Sequence, residues 1–501
     1  MLAAFLVAAA CLNFRVATVQ PAIRAEMDES GLRTSIRIDV PEGLPRDVPV
    51  IRSRNRRATL KLRPAPVAGP GSATRPMPYL LDLRDQLDFE RAAALLAGTS
   101  MSRQAQRAWV IDALAGIAAR SQKRLQPLLD ELQRKGEISS FTQISIVNRL
   151  VVVGRPSAIR TLSESAEVDS IARRVEAEGS LFDDAAAQSN VDPVPSGWAL
   201  DAIGAPQTWR TGIDGSGVTV GLIDSGASNL HEQLRGNYRG GPSSWFDPLH
   251  ESSGPNDVQT GHGTAVLSCA VGQGRNDVTF GAAPGARWVA AVGLNGSRYD
   301  NVLVTRAADW MLNVAQPDVL VLAFRAPGTG CDDSLRRIVN AFRAAEIVVI
   351  FAAGNAGPDP RTDVSPANYS QLFPGSGSAL SVGGVDSARK GDPRSSRGPS
   401  RCGGVLFPQI VAPGTDVPVA AAAGTSLYRR ATGTSFAAGY VAGASALLLQ
   451  QFPHARVGQI EEALRRSAID LGPPGPDSTY GYGLISVPAA MEYLRSRVLS
   501  Q

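Results

Sequence analysis

The sequence contains few of the residues that bind metals or build disulfide frameworks. Its 501 residues include four cysteines and four histidines. The cysteines, Cys11, Cys269, Cys331 and Cys402, lie far apart and lack the spacing of a metal site. No charge sign is in large excess either, since 50 Lys and Arg against 46 Asp and Glu leave a formal net charge of +4. Composition therefore gives no reason to expect a nucleic acid or another polyanion as partner.

Long apolar runs are absent after the N-terminus. The segment from Met1 to Phe14 carries no charged side chain and is too short to span a membrane comfortably, which is typical of the apolar core of an export signal. The usual basic residues before it are missing, and small residues before Cys11 also fit a lipoprotein cleavage site. Residues 1–20 are interpreted as a signal segment, a lipoprotein segment or neither. We expect an exported protein, secreted, periplasmic or lipid-anchored, which contacts a membrane only if Cys11 is lipidated or this segment is retained.

The next 180 or so positions divide into three parts by composition. Residues 21–78 are rich in Arg and Pro and are interpreted as a linker. Residues 79–174 follow a β-α-β-β-α-β pattern, with helical periodicity strongest from Ala105 to Gln133, which predicts a small ferredoxin-like α+β domain. Residues 175–197 are acidic and polar before Pro193 and Pro195, which predicts an exposed, cleavable connection between domains.

Residues 198–501 alternate between apolar strands and helices. The strand candidates are apolar stretches rich in Val, Ile, Leu and Ala at 218–223, 288–292, 319–323 and 347–351, with helical stretches at 302–314 and 334–345. This pattern predicts an α/β domain whose parallel sheet is covered by helices on both faces. Functional residues in such folds gather beyond the carboxyl ends of the strands.

Two residues of acid and base chemistry stand at such ends. Asp224 follows the first strand, where a partly buried carboxylate can orient an imidazole; the alternative is an ordinary Asp-Ser-Gly turn. His262 lies between Gly261 and Gly263, and those glycines allow the backbone to pack closely while the ring faces a cleft. Alone, such a histidine is more often structural.

Two further residues complete the pattern. Asn355 follows a strand between glycines, where its amide can donate to an oxyanion or the residue can occupy a left-handed turn. Ser435 begins a nearly uncharged helix after Gly433, where backbone N–H groups converge. That position suits a nucleophile, and it equally suits a helix cap. Asp, His and Ser in this order match one known arrangement of a catalytic triad.

These motifs together resemble the subtilisin-like serine proteases, or subtilases, most closely those of the bacillopeptidase F type. The resemblance runs from about Trp198 to Leu494 and implies a subtilisin-like, doubly wound parallel sheet. It implies that Asp224 orients His262, that His262 activates Ser435 as nucleophile, and that Asn355 stabilises the oxyanion. A polypeptide is then the substrate and an acyl-enzyme the intermediate.

The resemblance also implies a role for the small domain and an expectation about bound metal ions. Residues 79–174 resemble the inhibitor-type prodomain of such enzymes, which would act as an intramolecular inhibitor and folding aid, so that the chain processes itself within residues 175–197. The chemistry requires no cofactor or catalytic metal. Subtilases often carry structural calcium, but no loop of this sequence shows a persuasive ligand pattern.

Departures from the family pattern concern the substrate cleft. The family usually has Ser-Trp-Gly or a similar segment where this chain has Ala323, Phe324 and Arg325. These three residues, with Ala353 and Gly354, are the expected substrate-binding wall. The altered wall leaves open an alternative function, a binding or scaffold protein with weak or no turnover. Ala265 and Gly439 also replace a histidine and a proline of the family, outside the triad.

The cysteines leave two alternatives. Without Cys11, the remaining three permit one disulfide, with Cys331 and Cys402 as the expected pair because both lie in polar, glycine-rich loops. Three unpaired thiols are the other alternative.

Overall fold

The structure, a computed structural model, describes most of the chain with full side chains. These parts are residues 45–53, 75–178, 197–257, 259–274, 280–328, 330–369 and 379–497, with the backbone of Val498. The backbone of short strands at 25–27, 33–37, 59–61 and 185–191 is also described. Residues 1–20, for which the sequence predicts a signal or lipoprotein segment, lie outside the described residues. None of the helices in the described ranges is long and apolar enough to cross a membrane.

The part of the N-terminal region that the structure describes contains ten strands and three helices. The strands are β1 (Ala25–Met27), β2 (Arg33–Arg37), β3 (Asp47–Arg52), β4 (Thr59–Lys61), β5 (Met77–Leu83), β6 (Asp85–Leu87), β7 (Ile138–Ile144), β8 (Arg149–Gly154), β9 (Val168–Arg173) and β10 (Glu176–Ala177). The helices are α1 (Phe89–Ala97), α2 (Arg103–Arg134) and α3 (Pro156–Ser163). Helix α2 begins after Ser102, whose hydroxyl accepts a hydrogen bond from the backbone N–H of Ala105.

In the small α+β domain the elements follow the order β5, β6, α1, α2, β7, β8, α3 and β9, so that β6 and α1 stand between the first strand and the long helix in addition to the predicted elements. Its five-stranded sheet has the order β4-β9-β5-β8-β7, and β5, β8, β7 and β9 pair antiparallel. One side of this sheet packs into a separate apolar core that includes Leu81, Leu125, Leu150 and Ile171. The small domain therefore has a hydrophobic core of its own, to which α2 and α3 contribute.

The interpretation of residues 21–78 as a linker is wrong where the structure has strands. Strands β1, β2, β3 and β6 form a second, four-stranded sheet, and Val48 and Val50 of β3 are buried. The sheet was not predicted from the sequence because β3 pairs with the distant strand β6, where Leu87 lies opposite Val50. Pairing between distant segments, rather than local propensity, stabilises these short strands.

The C-terminal domain is built on seven parallel strands. In spatial order they are β13 (Trp245–Phe246), β14 (Arg287–Val292), β12 (Thr219–Asp224), β17 (Val319–Leu322), β18 (Val348–Ala352), β19 (Leu380–Val385) and β20 (Ile410–Pro413). Every residue of β17 and β18 is buried, as expected for a parallel sheet covered on both faces. Two smaller antiparallel groups contain β15 (Leu294–Asn295) with β16 (Arg298–Asp300), and β21 (Val417–Ala420) with β22 (Tyr428–Thr432) and β11 (Ala185–Val191).

Helices cover both faces of the seven-stranded sheet. They are α4 (Gly197–Ile203), α5 (Ala205–Trp209), α6 (Glu232–Arg235), α7 (His262–Val271), α8 (Asn301–Trp310), α9 (Arg336–Ala344), α10 (Thr434–Gln451), α11 (Val457–Arg466) and α12 (Val487–Val498). Alternate residues of β12 enter different cores: Val220 and Leu222 pack with α7 and α10, whereas Ile223 packs with α8 and α9. The second core also includes Trp109 and Ile117 of α2, so the N-terminal domain covers the α8 and α9 face.

Candidate active site

Asp224 and His262 meet at the carboxyl edge of the central sheet. Asp224 is the last residue of β12 and is fully buried, and His262 is the first residue of α7 and is 5% exposed. Nδ1 of His262 lies 2.7 Å from Oδ1 of Asp224, within the range of a charge-assisted hydrogen bond. The pair has the geometry in which a buried carboxylate orients an imidazole and stabilises its protonated form.

Glycines beside these residues allow this approach. Gly261 precedes α7 with a φ of 69°, a left-handed conformation that glycine adopts without a steric penalty. At Gly263 a Cβ atom would lie 2.1 Å from the carbonyl oxygen of Gly226 and 3.1 Å from Cβ of Asp224. Any side chain at position 263 would therefore push α7 away from β12 and lengthen the contact between Asp224 and His262.

Ser435 lies in the first turn of α10, directly after β22. It is fully buried, and its Oγ makes no hydrogen bond with the part of the chain that the structure describes. The ring of the next residue, Phe436, lies 6.3 Å from the ring of His262, centroid to centroid. A buried hydroxyl without a partner is costly in an ordinary structural position. The start of α10 therefore lies near His262 through Phe436, and the role of Ser435 as nucleophile stays a prediction.

Close packing between α7 and α10 sets this arrangement. At Gly439 a Cβ atom would lie 2.6 Å from the carbonyl oxygen of Val266, and at Gly443 it would lie 2.4 Å from that of Ala270. The two glycines on α10 therefore face the backbone of α7 without room for a side chain. The amino ends of both helices, which carry His262 and Ser435, are fixed relative to each other.

Asn355 is oriented by the residue that precedes the serine. Its Oδ1 accepts hydrogen bonds from both the backbone N–H and the hydroxyl of Thr434, each at 3.0 Å. The N–H of Gly354 in turn donates to the Thr434 hydroxyl at 3.0 Å. Two donors on Oδ1 identify it as the amide oxygen, so the NH₂ group occupies the other branch of the side chain. The amide of Asn355 is therefore held next to the start of α10.

The expected substrate wall lies at the same sheet edge. Ala323, Phe324 and Arg325 follow β17, whereas Ala353 and Gly354 follow the neighbouring parallel strand β18. Ala323, Phe324 and Ala353 are buried, and Arg325 is half-buried. The structure brings these five residues to one edge, but their role in binding substrate stays a prediction.

A second buried carboxylate lies near Asp224 and was not identified from the sequence. Asp257 is 3% exposed and accepts hydrogen bonds of 2.8 Å from the Ser225 hydroxyl and from both the N–H and the hydroxyl of Thr264. The Ser225 hydroxyl also lies 3.2 Å from Oδ1 of Asp224. Burial raises the pKa of Asp257 to about 6, assisted by the charge of Asp224 and opposed by the hydrogen bonds from Thr264 and Ser225.

Little in the sequence indicated that Asp257 would be buried near Asp224. It stands five residues before His262 in a loop of polar residues. A carboxylate in such a loop is usually solvated. Asp257 differs from an ordinary loop carboxylate only in its buried hydrogen bonds with Ser225 and Thr264, which the sequence does not reveal.

The disulfide connects Cys331 and Cys402, so of the two cysteine alternatives the expected pair is the one formed. Cys269 is buried in α7 and takes no part in a disulfide. Across the described ranges, no group of three or more His, Cys, Asp or Glu side chains has the arrangement of a metal site.

Two strands of the interdomain segment lie beside the site. Strand β10 pairs antiparallel with β16, so that Ala177 lies opposite Tyr299. The backbone of β11 pairs antiparallel with β22, and Ala185 lies opposite Thr432, three residues before Ser435. Strand β11 is therefore paired with the strand that ends just before Ser435.

Comparison with known proteins gives consistent matches. The model of the Subtilase family matches residues 215–483 of the chain. Bacillopeptidase F from Bacillus subtilis (strain 168) is 27% identical over 452 residues, which cover 81% of this chain and 31% of that protein. The chain thus spans about a third of the length of that relative. Subtilisin E from the same organism is 27% identical over 417 residues, which cover 83% of this chain and 97% of that protein.

Among solved structures, fervidolysin from Fervidobacterium pennivorans, a keratinolytic enzyme related to subtilisin, matches with a TM-score of 0.62. The match covers 91% of this chain and 65% of that one, at 17% identity. At this identity the likeness concerns the fold alone, and it confirms the predicted α/β fold with its doubly wound parallel sheet.

Proposed function

We propose, since the chain belongs to the subtilase family, that it hydrolyses peptide bonds as a serine endopeptidase through Asp224, His262 and Ser435. One observation carries the proposal. A buried carboxylate lies 2.7 Å from the imidazole of His262, beside a buried serine hydroxyl that makes no hydrogen bond among the described residues. Apolar packing alone would not retain three such groups together.

In the proposed mechanism, Ser435 Oγ attacks the peptide carbonyl carbon while His262 Nε2 takes the hydroxyl proton. Asp224 holds the ring through Nδ1 and stabilises the imidazolium. The tetrahedral intermediate collapses as His262 returns the proton to the leaving amine, which leaves an acyl-enzyme. Water, deprotonated by His262, then attacks the ester and releases the acid. The reaction uses only groups of the chain, so it requires no cofactor; structural calcium has no support from the residues.

The oxyanion of the tetrahedral intermediate would be stabilised by Asn355 and by the backbone N–H of Ser435. The two hydrogen bonds from Thr434 to Oδ1 support this role, because they hold the amide in one orientation before substrate binds. Preorganised donors stabilise a developing charge without reorganising at the moment of reaction.

We further propose that residues 79–174 form an inhibitor-type prodomain and that residues 198–501 form the protease domain. Residues 175–197 would then carry the processing site. The pairing of Ala185 with Thr432 supports this, since Thr432 stands three residues before Ser435. The bond cleaved would lie between residues 178 and 185.

An exported location is supported by the disulfide between Cys331 and Cys402, since disulfides persist mainly in oxidising compartments. The relatives matched above, bacillopeptidase F and subtilisin E, belong to a family whose members are mostly secreted. The N-terminal segment and Cys11 would decide between release and a lipid anchor.

Expression of Ser435→Ala beside wild type in an exporting host tests the proposal. We expect wild type to mature to a product that begins between residues 179 and 185, and to react with a fluorophosphonate. Ser435→Ala should keep the prodomain and resist labelling. Ser445→Ala is the matched control, because Ser445 is buried on the same helix and donates to the carbonyl oxygen of Val441; it should behave as wild type.

The outcomes separate the proposed activity from the alternative. Equal masses for wild type and Ser435→Ala would contradict self-processing. Labelling of wild type without cleavage of any peptide would favour the alternative, a binding or scaffold protein whose cleft is altered at Ala323, Phe324 and Arg325.

A further inference from the structure

The hydroxyl of Ser225 lies between two buried carboxylates. Its Oγ is 2.8 Å from Oδ1 of Asp257 and 3.2 Å from Oδ1 of Asp224, the carboxylate that contacts His262. Asp224 is fully buried and Asp257 is 3% exposed. A hydroxyl group carries one hydrogen, so Ser225 donates to one of these two oxygens at a time. The choice between them affects the carboxylate that faces His262.

The acceptor positions of the Ser225 oxygen are occupied by two other donors. The hydroxyl of Thr260 lies 2.7 Å from Ser225 Oγ and 3.4 Å from Asp257 Oδ1, so it donates to Ser225. The N–H of Gly263 donates to the same Oγ at 3.3 Å. Because a hydroxyl oxygen has two lone pairs, the hydrogen of Ser225 is left to point towards the carboxylates. The shorter distance favours Asp257 while that carboxylate is ionised.

Thr264 holds Asp257 in one orientation. Both the N–H and the hydroxyl of Thr264 donate to Oδ2 of Asp257 at 2.8 Å. The Thr264 hydroxyl also accepts a hydrogen bond of 3.0 Å from the N–H of Ser228, which fixes its role as a donor to Asp257. Oδ1 of Asp257 is therefore the oxygen that is directed at Ser225.

Asp224 has few donors for a buried charge. Its Oδ1 accepts a hydrogen bond of 2.7 Å from the N–H of Ser225 and lies 2.7 Å from Nδ1 of His262. Its Oδ2 makes no hydrogen bond with the part of the chain that the structure describes. A carboxylate that is poorly compensated by donors stabilises a neighbouring imidazolium strongly, and one more hydrogen bond to it weakens that effect.

Asp257 changes its charge in the pH range in which an imidazole ordinarily titrates. Burial raises the pKa of Asp257 to about 6, opposed by the N–H of Thr264 and assisted by the charge of Asp224. The other charged residues described along the cavity beside Asp257 are Asp247 and Glu251. Asp247 accepts hydrogen bonds from N–H groups of its own loop, and Glu251 is exposed. Both are unchanged in the variants below.

We propose that Asp257 is a positioning residue that sets, through the hydroxyl of Ser225, how strongly Asp224 stabilises protonated His262. While Asp257 is ionised, it holds the Ser225 hydrogen away from Asp224. When Asp257 takes up a proton from solvent, it donates to Ser225 Oγ, and the Ser225 hydroxyl turns to Asp224 and keeps its own hydrogen. The imidazolium is then less stabilised. The inference rests on the proposed function, because it takes its importance from the roles of Asp224 and His262.

The main test measures the titration of His262 in the full chain with Ser435→Ala, so that it does not depend on activity. The chain has four histidines, and NMR of labelled imidazole groups resolves them, with His262→Gln assigning the signal. In Asp257→Asn the amide donates to Ser225 at every pH. The His262 midpoint should fall by about one pH unit, because a nearby negative charge is lost and Asp224 gains a donor.

Asp309→Asn is the matched control. Asp309 lies on α8, which covers the opposite face of the sheet, and burial also raises its pKa. The control should leave the His262 midpoint unchanged. An unchanged midpoint in Asp257→Asn as well would overturn the proposal.

Ser225→Ala separates the hydrogen bond from the charge. In this background, Asp257→Asn still removes a negative charge but frees no hydroxyl for Asp224. The shift of the His262 midpoint should therefore be smaller than in the parent. Equal shifts in both backgrounds would overturn the proposal, since the charge of Asp257 would then act without Ser225.

Ser225→Ala alone decides the question if Asp257→Asn does not fold, as judged by its melting transition. The titration of the Asp257 carboxyl carbon should move to higher pH in Ser225→Ala, because the ionised carboxylate loses a donor. An unchanged Asp257 midpoint would show that Ser225 already donates to Asp224, and the proposal would be wrong.

The processed enzyme with Ser435 restored gives a second measurement. The acid limb of kcat/KM against pH reports the base of the free enzyme, and it should move to lower pH in Asp257→Asn but not in Asp309→Asn. If the NMR midpoint shifts and no peptide is hydrolysed, the proposed function fails while the role of Asp257 stands. If peptide is hydrolysed and neither the midpoint nor the limb moves, the proposed function stands and this inference fails.

Discussion

The two faces of the central sheet use opposite kinds of contact. On the face with α7 and α10, every residue from Thr434 to Leu449 is buried, none is charged, and Gly439 and Gly443 bring two helix backbones together. On the other face, the N-terminal domain shares an apolar core with α8 and α9, yet charged and amide groups make its specific contacts. There, Asp309 of α8 accepts hydrogen bonds of 2.9 Å from the N–H groups of Ser145 and Ile146.

The difference follows from what each face has to do. Catalytic groups must stay within a fraction of an ångström of one geometry, and small apolar residues in a close-packed interior permit no alternative arrangement. On the other face, charged and amide groups of the N-terminal domain, such as Arg103 and Gln106, donate to the backbone carbonyl groups that follow α9.

The largest expected effect comes from breaking the polar contact on the catalytic face. Asp224→Asn should lower kcat by about 10⁴-fold, because the amide holds the wrong tautomer of His262. Steady-state hydrolysis of a peptide substrate measures it. Asp309→Asn is the matched control on the opposite face and should leave turnover of the processed enzyme unchanged. A loss of turnover in the control comparable to that in Asp224→Asn would contradict the separation of roles between the faces.

Removal of the proposed oxyanion donor should have the next largest effect. We expect Asn355→Ala to lower kcat by about 10²- to 10³-fold with little change in KM, because the interaction forms in the transition state. Asn355→Asp preserves the acceptor for Thr434 and removes the donor. If the aspartate variant kept full activity, the effect of Asn355 would come from its contact with Thr434, and the oxyanion role would be wrong.

The buried carboxylate near Asp224 should make stability depend on pH. The pKa of Asp257 is raised from 3.8 to about 6, so ionisation is harder in the folded chain, and stability falls as pH rises through this window. Two pKa units correspond to about 3 kcal/mol. In a Ser435→Ala background, Asp257→Asn should gain stability relative to its parent between pH 4 and pH 8. The amide can still accept from Thr264 and donate to Ser225.

Chemical denaturation of both chains at the two pH values measures this difference. A constant stability difference between Asp257→Asn and its parent across the window would contradict the assignment of a raised pKa to Asp257. The comparison with the parent removes the contribution of all other carboxylates.

The smallest expected effect comes from adding one methyl group between the helices of the catalytic face. Gly439→Ala would place Cβ 2.6 Å from the carbonyl oxygen of Val266 and 2.9 Å from Cβ of Cys269, and should cost about 1–3 kcal/mol of stability. Gly458→Ala in α11 meets no atom within 4 Å and should be neutral or stabilising. Thermal melting compares the two, and equal melting temperatures would show that α7 can move away from α10 without cost.

The candidate site was inferred from sequence signals that are local, and the roles of its residues stay predictions. A strand that ends in Asp224, a histidine between glycines, and a serine at the start of an uncharged helix are each visible within ten residues. In the small domain the predicted β-α-β-β-α-β order lacks β6 and α1, which the structure has between β5 and α2. The strands within residues 21–78 were missed, since β3 is completed by β6 and β4 by β9, far along the chain. Asp257 was missed because its burial depends on contacts with Ser225 and Thr264.

By itself, the sequence determined which chemical groups the protein carries and the order in which the sheet presents them. Only the tertiary structure decided the distance between Asp224 and His262, the pairing of Cys331 with Cys402, and the docking of α2 on α9. The physical reason is separation along the chain. Arg103 and Glu346 are 243 positions apart, and no local pattern of propensity or periodicity encodes a contact that forms only when two complete domains have folded.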